Sequence, residues 1–214
     1  MDRRRFLLSA AAFALPIPAG KQMAFKVLRN GTPIGEHHLN FTQTGDDLSV
    51  EVSIQLLVKL TVIPVFRYKL QAVEKWSGGV FQSLESKIIE NGNVLTVHAQ
   101  KTAAGYEVTG TNHDNPEKNM PTYLSPPDTL PLTYWNKQFM SGTILNIQTA
   151  HTYPAAVNSP GWNKLPTAEG GFITAQRFDL TGKLRLSVWY NQSDSWSGLE
   201  FHYSGDETYE KIIA

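Results

Sequence analysis

The chain has 214 residues, with 19 Lys and Arg against 19 Asp and Glu and no cysteine. That length suits one domain with a core of its own. The balanced charge leaves no basic field for nucleic acid, and the missing thiols exclude disulfides, a lipid-modified cysteine, c-type haem and thiolate metal sites.

Residues 1–22 read as a twin-arginine export signal: Arg3 and Arg4, a spacer, then Phe6 and Leu7. The run that follows is apolar and uncharged up to Ala19, too short to span a bilayer and placed where a signal's hydrophobic region belongs. Both Ala12-Phe13-Ala14 and Ile17-Pro18-Ala19 fit a cleavage site. The expected partner of this segment is the twin-arginine export machinery, and the expected location is the periplasm. Residues 23–214 are then a single β domain, slightly acidic and not membrane-spanning. The route implies no cofactor by itself, and none is expected.

From Met23 onward the apolar period is two, which predicts strands rather than helices. Residues 24–29 and 34–42 flank Asn30-Gly31-Thr32-Pro33, a turn-forming sequence, and predict an opening hairpin. Val52, Ile54, Leu56, Val58, Leu60 and Val62 then share one face. Pro64 marks an edge, bulge or bend, and beyond it Phe66, Tyr68, Leu70, Ala72 and Trp76 share the next apolar face. Strands of this length must twist and curl around a shared core. Gly78-Gly79 and Asn91-Gly92 bound strands over 80–90 and 94–100, and a short strand covers 106–111. Residues 112–142 hold five prolines, which exclude a regular strand and permit at most a short helix over 132–139. A stretch this long in a small domain suits a lid or a binding element. Residues 151–171 form a second irregular stretch, and strands resume over 172–180, 184–190, 196–203 and 207–213. The fold class is all-β, a strongly curved antiparallel sheet or open barrel of about ten to twelve strands.

Phe25-Lys26-Val27 with Gly31 and Ile34-Gly35, Glu74-Lys75-Trp76, Asn91-Gly92, Tyr134-Trp135-Asn136, and Phe178-Asp179-Leu180-Thr181-Gly182 followed by Val188-Trp189-Tyr190 together form a pattern. It resembles an exported proteobacterial family known as domain of unknown function six-one-three-four, and is similar to the group numbered three-one-zero-eight. The resemblance implies a periplasmic, mostly antiparallel β domain and carries no activity. The family usually has an acidic residue after its Trp-Tyr pair, where this chain has Asn191.

No catalytic constellation stands out. The chain lacks a Gly-x-Ser-x-Gly elbow, Ser-x-x-Lys and His-Glu-x-x-His, and Asp46, Asp47, Asp194 and Asp206 lie in turns that favour Asp for backbone reasons. His37 and His38 are adjacent on a strand and point to opposite faces, so they cannot share one ion. His113-Asp114-Asn115-Pro116-Glu117, joined by His151, offers metal-ligand chemistry without a fixed spacing, and solvated loop polarity is the expectation. No metal or catalytic residue is assigned. The aromatics carry more signal. Trp76, Trp189 and Phe201 are expected in the core. Tyr134, Trp135, Tyr123 and Trp162 in the irregular stretches are the candidate ligand-binding residues, lining an apolar mouth for a hydrophobic or amphipathic small molecule. The expected function is a non-catalytic binding protein. One alternative is an assembly protein pairing through an exposed sheet edge near Pro64 or Gly78-Gly79; another is a hydrolase built on His113.

Overall fold

Alternation of apolar and polar side chains carries most of the described residues into ladders, nearly all of them antiparallel. The structure, a computed structural model, describes residues 15–61, 63–202 and 205–212. Arg3, Arg4, Phe6 and Leu7 lie outside the described residues, as does Val62.

Seven strands meander from the N-terminal side: β1 (Gln22–Arg29), β2 (Thr32–Thr44), β3 (Asp47–Leu60), β4 (Ile63–Ser77), β5 (Val80–Glu90), β6 (Asn93–Lys101) and β7 (Tyr106–Gly110). Short β8 (Tyr123–Ser125), β9 (Thr129–Pro131), β10 (Thr143–Leu145) and β11 (Thr152–Pro154) follow, with a 3-10 helix at Lys137–Ser141 between β9 and β10. The chain ends in β12 (Val157–Pro166), β13 (Phe172–Leu180), β14 (Leu186–Tyr190), β15 (Trp196–His202) and β16 (Asp206–Ile212). Thirteen of these form one sheet in the order β12-β13-β14-β15-β16-β1-β2-β3-β4-β5-β6-β7-β8, while β11-β10-β9 form a small second sheet. The large sheet is antiparallel and curls around one core without closing. It is the open curved sheet that the alternation predicts.

Three expectations need correction. Residues 151–171 are not irregular, because they hold β12, ten residues long. Pro160 falls in a bulge of its ladder and Pro166 at its end, and β12 is an edge strand with one ladder neighbour, where a missing N–H is tolerated. Both faces of β12 are largely exposed, so no alternation announced it. Residues 112–142, whose prolines predict no regular strand, hold the short β8 and β9, and with β10, β11 and β12 the described chain has sixteen strands rather than about ten to twelve. The short helix lies at Lys137–Ser141, later than expected, and starts where Asn136 Oδ1 accepts a hydrogen bond from the Gln138 backbone N–H at 3.1 Å.

The segment between β7 and β12 enters the curl. Leu132, Trp135, Phe139, Ile144, Leu145, Ile147 and Ala150 are all buried in the same core as the inward residues of β1 to β7 and β13 to β16. The Pro-rich stretch is thus a plug within the barrel-like sheet. At the other side, the chain after β12 lies along β16: Ala168 N–H donates to Lys211 O at 3.1 Å, and Leu165 packs over Gly198, where an added Cβ would meet Leu165 Cδ1 at 3.0 Å.

Candidate ligand site at the ribbon end of the barrel

Ladder register divides the interior into rows. One row runs Phe41, Val50, Glu74, Leu84, Ala99, Val108, Tyr123; two steps along the strands lies Phe25, His37, Ile54, Leu70, Ile88, Leu95; one step further lies Val27, Gly35, Leu56, Tyr68, Glu90. The first row is covered by the plug, and the last faces the end where β3 and β4 outrun their neighbours.

Under the plug sits Glu74, fully buried, its Oε2 accepting from Trp76 Nε1 at 2.9 Å and Trp135 Nε1 at 3.1 Å. Burial pushes its pKa up from 4.5 to about 7, against hydrogen bonding from Thr133, Trp76 and Trp135 that favours the ionised form. Oε1 has no hydrogen bond of good geometry. Trp135 stands edge-on to Phe41 and Trp76, with ring centroids 5.4 Å from each. This constellation is closed on all sides and ties plug to sheet.

Toward the open end the interior keeps polar atoms without partners. His37 is 1% exposed, and neither Nδ1 nor Nε2 has a hydrogen-bond partner among the described residues. Its ring lies edge-on to Trp196 at 5.2 Å and Tyr209 at 5.7 Å. Burial, with a smaller contribution from His38, lowers its pKa from 6.5 to about 3, so the imidazole is neutral at ordinary pH. The Tyr68 hydroxyl is also buried and unpartnered; burial, then the nearby Tyr209, Glu90 and Tyr134, push its pKa well above 10. Burial likewise raises the pKa of Tyr134 and Tyr209. Tyr134 is held here with a left-handed φ of 69°, its carbonyl accepting from the Tyr190 hydroxyl at 2.5 Å. Half-buried Ile34, Leu56, Phe66, Leu186 and Phe201 pack around this end, and Arg29 pairs with Glu207 at 3.1 Å. The result is a mostly apolar surround with a few neutral hydrogen-bonding groups, beside which stand the Arg29–Glu207 ion pair and Glu90, a make-up that suits a small-molecule site.

The four residues expected to bind ligand do not meet. Trp135 is fully buried in the plug, and Tyr123 donates its hydroxyl to Ala150 O at 2.6 Å. Trp162 is 50% exposed on edge strand β12, and Tyr134 alone reaches the open-end cluster. Trp76 is buried in the core as expected, Phe201 is half-buried against it, and Trp189 is buried outside that cluster, with Arg177 5.2 Å from its ring. From the sequence, His37 entered only as a metal ligand that His38 could not complete and Glu74 only within Glu74-Lys75-Trp76, although strand parity held the signal: His37 is in phase with Leu39 and Phe41, and Glu74 with Ala72 and Trp76. His113 lies 3.7 Å from Glu90 and 4.0 Å from Asp114. Among the described residues no three His, Asp or Glu side chains are placed to hold one ion.

No curated protein matches the chain. Among solved structures it is similar to the crystal structure of a β-barrel-like protein of domain of unknown function DUF1849 from Brucella abortus, with a TM-score of 0.58 at 7% identity over 89% of this chain and 94% of that one. At that identity the likeness concerns the fold alone. The model of the family described as Domain of unknown function (DUF6134) matches residues 25–212, nearly the entire β domain from the second row of β1 to the last residue of β16, and the chain belongs to that family.

Proposed function

We propose that this is an exported, non-catalytic binding protein that holds a hydrophobic or amphipathic small molecule with an uncharged polar head at the open end of its curled sheet. The observation that carries this reading is the pair of buried side chains toward the open end, His37 and Tyr68, whose polar atoms have no partner among the described residues. A native protein rarely leaves such groups unpaired, since each unmade bond costs about 1–3 kcal/mol. Their ionisation states select the ligand. A neutral imidazole and protonated phenols offer donors and acceptors but no charge, which suits an alcohol, ester or amide head better than a free carboxylate or amine. The half-buried apolar side chains around them suit the rest of such a molecule.

The test is native mass spectrometry of the protein purified from the periplasm, before and after denaturation. A bound species of several hundred daltons that leaves on denaturation is the expected result; a mass equal to the bare chain in both states counts against the site. Tyr68→Phe removes the buried hydroxyl without changing ring volume. Its stability should match the wild type or rise by about 1 kcal/mol, while the retained ligand falls severalfold. Equal retention would remove Tyr68 from the site.

A further inference from the structure

Strands β3 and β4 outrun the sheet. The last β3 residue paired to β2 is Leu56, opposite Gly35, and the last β4 residues tied to the β5–β6 hairpin are Tyr68 and Arg67, the latter through Asn91. Beyond them, four residues on each strand pair only with each other and project roughly 13 Å at about 3.3 Å per residue. The exposed side chains of this two-stranded ribbon are mostly apolar, with Lys59 the charged one among them. Leu60 is 69% exposed, Ile63 65% and Val65 55%, with Leu57 also exposed and Val58 and Phe66 half-buried. Single exposed apolar residues need no explanation, but a contiguous set on a projecting element marks a contact surface.

Charge decides what the contact is with. From residue 52 to residue 73 the chain carries Lys59, Arg67 and Lys69 and no acidic side chain. Arg67 and Lys69 stand at the ribbon's root beside a surface groove of about 720 Å³ that Leu57 and Ile89 also line. Glu36 also lines that groove, 2.7 Å from His38, and Glu90 stands opposite Tyr68 on β5, so Lys59, Arg67 and Lys69 outnumber the two acids around the ribbon and its root. A greasy tip above a cationic collar, with Phe66 and Tyr68 at collar height, is the arrangement that fits an anionic lipid surface. A second copy of the chain would bring an identical cationic collar and be repelled. The free ribbon edges still carry unpaired backbone groups, which the hydrocarbon core would penalise, so the tip belongs at headgroup depth.

We infer that the β3–β4 ribbon docks this protein on the surface of a bilayer containing anionic phospholipid, with Leu60, Ile63 and Val65 entering the headgroup boundary and Lys59, Arg67 and Lys69 meeting the phosphates. The inference stands without the interior site, although docking by this ribbon would bring that site's open end to the membrane.

Sedimentation of the purified protein with vesicles tests it, using phosphatidylcholine alone and a mixture of about three parts phosphatidylcholine to one of phosphatidylglycerol. The protein should pellet with the mixture and not with the neutral vesicles, and added salt should release it. Replacing Leu60, Ile63 and Val65 together by serine should lower partitioning at least about tenfold with an unchanged melting curve. Should that variant fail to fold, Ile63→Cys carrying a polarity-sensitive dye gives a second reading, since the chain has no other cysteine; its emission should shift to the blue on the anionic vesicles. The idea is overturned if the wild-type protein stays in the supernatant, if it binds both vesicle types alike, if the triple serine variant pellets as well as the parent, or if the dye does not shift. A ribbon-dependent dimer without vesicle binding would equally overturn it.

Discussion

Between pH 4.5 and 6.5 the unfolding free energy contributed by His37 and Glu74 together should stay nearly level, whereas His37→Phe should lose stability across that window and Glu74→Gln should gain it. Burial lowers the His37 pKa from 6.5 to about 3. The unfolded chain therefore binds a proton that the folded one refuses, and the contribution of neutral His37 is complete above pH 6.5 and is lost as pH falls toward 3. Glu74 runs the other way. Burial raises its pKa from 4.5 to about 7, so the folded state keeps a proton that the unfolded chain releases. Stability from this group is greatest below pH 4.5 and declines as pH rises to 7. Each slope is about 1.4 kcal/mol per pH unit, and the two cancel where both groups differ between states. Removing either partner exposes the other's slope, about 3 kcal/mol over the window and of opposite sign in the two variants. Urea unfolding midpoints at several pH values would show it, read as differences from the wild type so that surface carboxylates drop out. Three parallel curves would mean that neither group is as dry as the fold places it.

Both groups were within reach of the sequence. In a strand of period two, a residue's inward or outward direction follows from its neighbours, and Leu39 and Phe41 put His37 inward just as Ala72 and Trp76 put Glu74 inward. What hid them is that a polar residue on an apolar face reads as an interruption until its surroundings are known. Glu74 becomes intelligible only with Trp135, which stands 61 residues away along the chain. The strand run was legible because each long strand buries one face, and the curl followed from strand length. The ribbon was half legible. Pro64 announced a break, but the apolar parity through Leu60 implied burial, and the ladder shifts at the bulge between Val58 and Lys59 before any neighbour could cover the tip. β12 was hidden because an edge strand exposed on both faces has no alternation to read, and its prolines argued against it. The plug was hidden for a different reason. Proline-rich sequence shows that a segment is irregular without showing whether it lies over the core or inside it.

That last distinction has a large measurable consequence at Trp135. A lid could lose its tryptophan and leave the sheet's stability untouched. A plug could not, because Trp135 is fully buried against Phe41 and Trp76 and donates to a carboxyl group that has few other partners. Trp135→Ala should therefore cost about 3–5 kcal/mol, a drop in melting temperature of roughly 6–20 °C for a domain of this size. Trp135→Phe should cost less, about 1–3 kcal/mol, since it keeps most of the packing and loses the N–H bond to Glu74 Oε2. The phenylalanine variant carries a second signature. With one fewer donor favouring the carboxylate, the Glu74 pKa moves up, and the fall in stability with rising pH extends past 7. Packing loss alone would shift every pH by the same amount. Hydrogen exchange should also quicken along Leu132, Phe139, Ile144 and Leu145, which share the core with Trp135. If Trp135→Ala melts with the wild-type protein, the segment is a cover over the sheet, and the interior must be sought with room for a ligand beneath it.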